Sequence, residues 1–431
     1  MICDNILVNE NGHLEFSGHD TLDLAQQYET PLYVMDERLI RARMSEYRDA
    51  LAEFFPQGSV PEFASKAFSC KRIYEIAKEE KIHIDVVSCG ELYTALKAGF
   101  PMEDCFFHGN NKTDKDIRFA MQSNVGHFVV DSFEEIEAVN RIAGELKLIQ
   151  KVMLRICPGI DPHTHKKIST GSVESKFGFA IETGMAFKAV ANALSCENID
   201  LRGFHCHIGS QIFDSEPFCD AAQIMLDFMD DVRKIYGFTA PVLNLGGGFG
   251  VRYLESDPII SYREKIKEVA NKIYEVCGKL DLAVPIVLME PGRSLVADAG
   301  ITLYTVGSVK EIDGYKNYVS VDGGMTDNPR YTLYESPYTV INASKAAQTP
   351  DFIATVAGRC CESGDIIQEN VQLKKPERGD ILAVLTTGAY NYSMASNYNR
   401  IPRPPVVMVD GENTYVAVKR ESFEDICMLD E

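Results

Sequence analysis

The chain has 431 residues, 45% hydrophobic and 25% charged, and its 43 basic against 63 acidic side chains give a formal charge of −20. That length exceeds one small domain and fits two, or one barrel with an appendage. The negative charge excludes nucleic acid as a natural partner, and no apolar run approaches the roughly 20 residues a membrane helix needs.

Met1-Ile2-Cys3-Asp4-Asn5 lacks the basic-then-apolar pattern of a signal peptide, and the 12 cysteines are scattered with no C-x-x-C pair. They read as reduced thiols, which makes the cytoplasm the expected compartment.

In chain order, strand-like runs at Leu14 to Phe16 and Leu32 to Met35 precede a helical pattern from Asp36 to Phe55. Eight short apolar runs follow. They are predicted as strands ending near Ser65-Lys66, Val87-Ser88, Phe107-His108, Val130-Asp131, Arg155-Ile156, His205 to Ile208, Leu245-Gly246 and Met289-Glu290. Amphipathic stretches separate most of them: Lys71 to Glu80, Gly90 to Gly99, Asp114 to Gln122, Ser132 to Leu146, Met185 to Leu194, Phe218 to Tyr236 and Ser261 to Leu280. Strands alternating with helices pair in parallel, and eight even units predict closure into a barrel.

After about Ala297 the runs Ile301 to Val309, Tyr318 to Val321, Phe352 to Val356, Ile381 to Leu385 and Val406 to Val409 are short, β-rich and broken by Gly, Pro and Asp. That texture predicts an antiparallel sheet domain, which the opening segment could join. The expected fold class is α/β plus all-β. A parallel (β/α)8 barrel spans 36–297, and a C-terminal β-rich, sandwich- or barrel-like domain of 298–431 is joined by the N-terminal segment 1–35.

Residues at the C-terminal ends of barrel strands face the active site, and the chain's unusual residues collect there. Lys66 ends the first strand among apolar neighbours, where a desolvated amine becomes a competent imine former; taken alone, a surface lysine at a strand end is the commoner reading. Gly246-Gly247-Gly248-Phe249-Gly250 lets backbone N–H groups approach an anion, although a tight strand–helix turn needs the same residues. In Glu290-Pro291-Gly292-Arg293 the carboxylate suits a pyridinium nitrogen and the guanidinium suits phosphate or carboxylate; a strand-end ion pair is the plainer alternative. His205 and His207 share a strand face, and His163 and His165 repeat the spacing, but no carboxylate or thiol stands at zinc-ligand spacing and no metal is expected. His207 better suits stacking on a flat ring, with His205 structural. In Cys361-Glu362-Ser363-Gly364-Asp365 a thiol able to donate a proton adjoins a carboxylate able to grip an amine, whereas Cys360 reads as a core residue. Asp322 to Arg330, Tyr334 and Gly388 to Ser393 are polar or aromatic clusters on Gly-rich turns that could supply binding groups.

Together these motifs resemble the diaminopimelate decarboxylases, within the alanine-racemase-fold group of pyridoxal-phosphate decarboxylases. The resemblance covers nearly the whole chain. It rests on Phe63 to Phe68, His108 to Lys112, His205 to Gln211, Gly246 to Gly250, Glu290 to Arg293, Asp322 to Asn328, Cys361 to Asp365 and Gly388 to Ser393. It implies pyridoxal 5'-phosphate held by Lys66, His207, Ser210, Gly247, Gly248, Glu290, Gly292, Arg293 and Tyr390, with Lys66 joined to it covalently. It implies substrate contacts from Arg293, Arg330, Tyr334, Glu362 and Tyr390, and a proton from Cys361. The activity implied is decarboxylation of meso-2,6-diaminopimelate to L-lysine. The assembly implied is a homodimer whose β-rich domain, through Cys361 and Glu362, completes the partner's active site. Three alternatives compete: a racemase using Tyr390 as second acid/base, against which Cys361 to Asp365 argues; an inactive regulator, whose signature would be loss of Lys66 or Cys361, both of which are present; and a barrel metal hydrolase, which should hold zinc.

Overall fold

Eight parallel strands close on themselves within Arg43–Gly250 and Ile260–Gly292, the second of two units into which the chain divides. The computed structural model describes residues 2–160 and 175–431; His163 and His165 lie outside the described residues. The barrel strands are β1 (Val60–Ala64), β2 (His83–Val86), β3 (Cys105–Phe107), β4 (His127–Val130), β5 (Gln150–Cys157), β6 (Ile199–His205), β7 (Val242–Asn244) and β8 (Ile286–Met289). Closure is made where β8 meets β1, with Leu288 opposite Val60, and where β4 meets β5, with His127 opposite Lys151. Phe106, Val129, Met153, Val242 and Leu288 fill part of the interior. Burial of such side chains is worth about 1.5–3 kcal/mol each.

The helices between strands start where the sequence supplies caps. Ser88, two residues past β2, accepts the Glu91 N–H at the head of Cys89–Lys97. Ser132 does the same for Phe133–Leu146, and Ser261 for Tyr262–Leu280. Thr113 and Asp116 form a reciprocal capping box at Asp114–Gln122. Ser88 and Ser132 stand two residues past β2 and β4, so those helices begin almost at once, whereas Thr113 and Ser261 leave longer loops at the barrel's C-terminal face. The expected (β/α)8 barrel is the architecture found.

The other unit comprises Met1–Ala42, Val251–Ile259 and Arg293–Glu431. Its main sheet runs Ile366–Leu373, Phe352–Ala357, Lys316–Val321, Gly300–Ile312, Leu32–Asp36, Val406–Asp410, Asn413–Val418, with Ile381–Val384 also pairing Gly300–Ile312. The sheet is mixed, not purely antiparallel as the texture predicted. Val406–Asp410 lies parallel to Leu32–Asp36, and Lys316–Val321 parallel to Phe352–Ala357. The 13-residue strand Gly300–Ile312 serves different neighbours at its two ends, with a register shift between Val306 and Ser308. Leu32–Asp36 joins this sheet, whereas Leu14–Phe16 belongs to a separate three-stranded one whose Leu14 and Phe16 still share the core with Leu32, Val34, Ile301 and Val407. No helix of the described residues is long and apolar enough to cross a membrane.

Candidate active site

Lys66 follows β1 on a single 3-10 turn, Ser65–Ala67. Ser65 and Ala67 are buried but Lys66 is exposed, so the desolvation expected from its apolar neighbours is not found. The turn carries the side chain out of the packed layer. Its charge is still felt by Asp85, Glu91 and His207.

The glycine turn after β7 approaches other backbone more closely than any side chain allows. A Cβ on Gly247 would stand 2.0 Å from the Glu290 carbonyl oxygen. Gly248 has φ +134, and a Cβ there would stand 2.6 Å from the Gly209 carbonyl oxygen. The loop after β6 docks on this turn: Ile212 N–H donates to Gly248 O at 3.0 Å, and Gly250 N–H to Ile212 O at 2.9 Å. Ser210 and the half-buried His207 belong to that loop. Gly247 N–H donates to His207 Nδ1 at 3.3 Å, which requires an unprotonated Nδ1. Burial first, then the Lys66 charge, holds His207 well below the usual imidazole range, in keeping with that role.

Glu290, just past β8, is the centre of the barrel's polar layer. His205 Nε2 lies 3.1 Å from Glu290 Oε2, and His108 Nε2 lies 3.1 Å from Glu290 Oε1. Asn244 donates to Glu290 Oε1 at 2.8 Å and to Glu62 Oε1 at 3.2 Å. Burial keeps His108 below its ordinary value and His205 at about 4, against the opposing pull of the Glu290 carboxylate on each. Burial works against charge on Glu290, yet its contacts with the two histidines outweigh this and hold the carboxyl well below the usual range. Glu62 goes the other way: burial, then Glu290 and Asp85, push it well up. Two carboxylates bonded to one amide are about 5 Å apart, and at an effective dielectric of about 20 their repulsion is about 3 kcal/mol. That repulsion adds to burial in pushing Glu62 up, while the donors around Glu290 hold it down.

The zinc alternative of His205 with His207 is not the grouping the fold makes. The cluster formed instead is His108, His205 and Glu290, whose ligand atoms lie within 4.8 Å of one another. Because β6 ends at His205, His207 turns away toward Gly247. His205 was expected to be structural and His108 was only part of a motif; both belong to the Glu290 site.

In the other unit, Arg293 and Arg330 are both buried and both stack on Tyr390, at 4.9 and 5.3 Å from its ring centroid. Arg293 also donates to Tyr253 OH at 2.6 Å, and Arg330 lies 5.3 Å over the Tyr334 ring and 3.3 Å from Ser336 Oγ. Tyr390 has φ +61, a conformation that costs a non-glycine residue energy and recurs at binding sites. Arg330 Nε has no hydrogen-bond partner among the described residues. The predicted substrate residues Arg293, Arg330, Tyr334 and Tyr390 are thus brought together.

Cys361 and Glu362 are not part of that group. Both are exposed, and their partners are Asn399 (Oδ1 accepting Cys361 N–H at 2.8 Å), Cys360 and Tyr398. Cys360 is buried as expected, and burial with the nearby Asp365 pushes its thiol up to about 12. Asp365 anchors this loop: it is buried and accepts Met325 N–H at 2.6 Å and Cys360 N–H at 2.7 Å. Asp365→Ala should cost roughly 2–4 kcal/mol by stranding two buried donors, read as a lower denaturation midpoint.

A closed parallel barrel with an amine, a glycine turn and one protected carboxylate at its C-terminal face defines a class. Residues 37–297 match the family described as pyridoxal-dependent decarboxylase, pyridoxal binding domain, so the chain is a decarboxylase that uses pyridoxal phosphate. The side chains suit that cofactor: Lys66 offers an exposed amine, and Glu290, held well below the usual carboxyl range, offers an acceptor for a ring N–H. The diaminopimelate decarboxylase of Bacillus subtilis is 47% identical over 98% of this chain and 96% of the relative, and that of Staphylococcus aureus is 42% identical over 98% of each. The crystal structure of diaminopimelate decarboxylase from M. jannaschii in complex with L-lysine matches with a TM-score of 0.91 at 34% identity, covering 100% of this chain and 98% of that one. The chain belongs to the diaminopimelate decarboxylase family.

Proposed function

We propose that the protein converts meso-2,6-diaminopimelate to L-lysine and CO2, the last step of lysine biosynthesis, as a cytoplasmic homodimer with shared active sites. The reading is carried by full-length similarity to diaminopimelate decarboxylases, one of them solved with L-lysine. Its 12 free cysteines suit a reducing compartment.

When bound, pyridoxal phosphate supplies a conjugated ring that draws in the electron pair left by the departing carboxylate. Lys66 would hold it covalently through Nζ, and His207 would contact its ring. The Gly248 N–H, with Gly247, Ser210, Gly292 and Arg293 around it, would take the phosphate side, and Tyr390 would add a further contact. Glu290 keeps a proton on the ring nitrogen, a role that its His108 and His205 contacts support. Cys361 Sγ delivers a proton to the carbon that has lost CO2. Glu362 accepts the substrate's distal ammonium, while Arg330, with Arg293, Tyr334 and Tyr390, grips the substrate. The exposure of Cys361 and Glu362, whose hydrogen bonds run to Asn399 and Tyr398, supports the reading in which the β-rich domain (1–35 and 298–431) completes the partner's site on the 36–297 barrel.

Specificity then lies with the distal carboxylate, which lysine and ornithine lack. Arg330→Ala should raise KM for diaminopimelate by roughly 10²-fold, since a buried carboxylate would lose its charged partner. An unchanged preference for diaminopimelate over lysine removes this account of specificity. The direct test mixes purified protein, pyridoxal phosphate and meso-diaminopimelate and assays lysine and CO2; failure to form both overturns the proposal.

A further inference from the structure

The polar layer of the barrel contains a hydrogen-bonded chain with two members, Asn244 and Glu62, that the proposed roles do not use. Asn244, the last residue of β7, is fully buried. Its Oδ1 accepts Gly246 N–H at 2.8 Å, and its Nδ2 donates to Glu290 Oε1 at 2.8 Å and Glu62 Oε1 at 3.2 Å. Reversing the amide would set its NH2 against an N–H and its oxygen against two carboxyl groups, so the surroundings dictate its orientation. Glu290 N–H donates in turn to Gly246 O at 2.8 Å. The glycine turn and the β8 acid are therefore tied twice, once through backbone and once through Asn244.

We infer that Asn244 and Glu62 are positioning residues that act as one unit, Glu62 orienting the Asn244 amide and the amide fixing Glu290 and the glycine turn relative to each other. A rigid cofactor must be met at its ring nitrogen and at its phosphate by groups on different strands, and one shared amide sets their separation. The inference rests on the reading of Glu290 and the turn as the holders of those two ends. Glu62 enters as the neutral member. The groups facing it are Asp85 of β2, Cys105 of β3, Asn244 of β7 and Glu290 just past β8. Its Oε2 has no hydrogen-bond partner among the described residues, which a carboxylic acid tolerates far better than a carboxylate.

Asn244→Asp is isosteric but exchanges two donors for another carboxyl group. Pyridoxal phosphate titrated onto the full-length protein should bind this variant roughly 10- to 100-fold more weakly than the parent. Glu62→Leu should also weaken binding, and Glu62→Gln, which keeps the acceptor, should bring it back to within about twofold. A second measurement needs no cofactor. Folded Glu62 keeps a proton that the unfolded chain releases, so the parent loses stability as pH rises above the ordinary carboxyl range. Glu62→Gln lacks that term and should gain on the parent between about pH 5 and about pH 8. Parent-like binding by Asn244→Asp, or a Glu62→Gln stability difference flat with pH, overturns the inference. Should Glu290→Gln leave both the affinity and the absorption of bound cofactor unchanged, the assignment of Glu290 fails instead, whatever the Asn244 variants do.

Discussion

Lys66→Ala should yield a folded protein that shows no visible absorption from covalently held cofactor and decarboxylates diaminopimelate at least about 10³-fold more slowly than the parent. The folding half of that expectation follows from exposure. Lys66 projects from a short turn between buried neighbours, so truncation removes no core contact, and such substitutions usually stay within about 0.5 kcal/mol. Lost turnover can then be assigned to the amine itself, with circular dichroism and the denaturation midpoint as controls. Borohydride reduction of the loaded parent gives the complementary result: the cofactor label should be found on the peptide carrying Lys66. A label on another lysine, or retained activity in Lys66→Ala, leaves the proposed chemistry without its anchor.

The barrel was legible because its information is local. A short apolar run, a Ser or Thr cap and an amphipathic helix repeat along the chain, and caps such as Thr113 and Ser132 start helices where the periodicity begins. The direction of pairing in the other unit is not local. Val406–Asp410 and Leu32–Asp36 come from opposite ends of the chain, and nothing in either run specifies that they align in parallel. The exposure of Lys66 was misread for a related reason. Apolar neighbours describe the strand, but the 3-10 turn that follows decides where the side chain points. Motifs located Glu290 and the two arginines without showing what surrounds them. Glu62 was the available signal for the polar layer, being an acid in the otherwise apolar Val60-Pro61-Glu62-Phe63-Ala64 run. That it meets Asn244, and that His108 and His205 meet Glu290, depends on closure bringing several strands together.

Mixing Lys66→Ala dimers with Cys361→Ala dimers should restore about a quarter of the parent activity once subunits have exchanged. Each variant alone should be nearly inactive: one lacks the amine that holds the cofactor, and the other binds cofactor but protonates product slowly, with a loss of roughly 10²–10⁴-fold. If each site takes Lys66 from one chain and Cys361 from its partner, a mixed dimer has one site with both lesions and one with neither. Random exchange makes half of all dimers mixed, and half of their sites are intact, which gives the quarter. The exposed setting of Cys361, held by Asn399 rather than by any other candidate residue, motivates this arrangement. Were both residues drawn from one chain, every site would carry a lesion whatever the pairing. The mixture would then stay at the mean of its two components, and the shared-site reading would fail while the Lys66 chemistry stood.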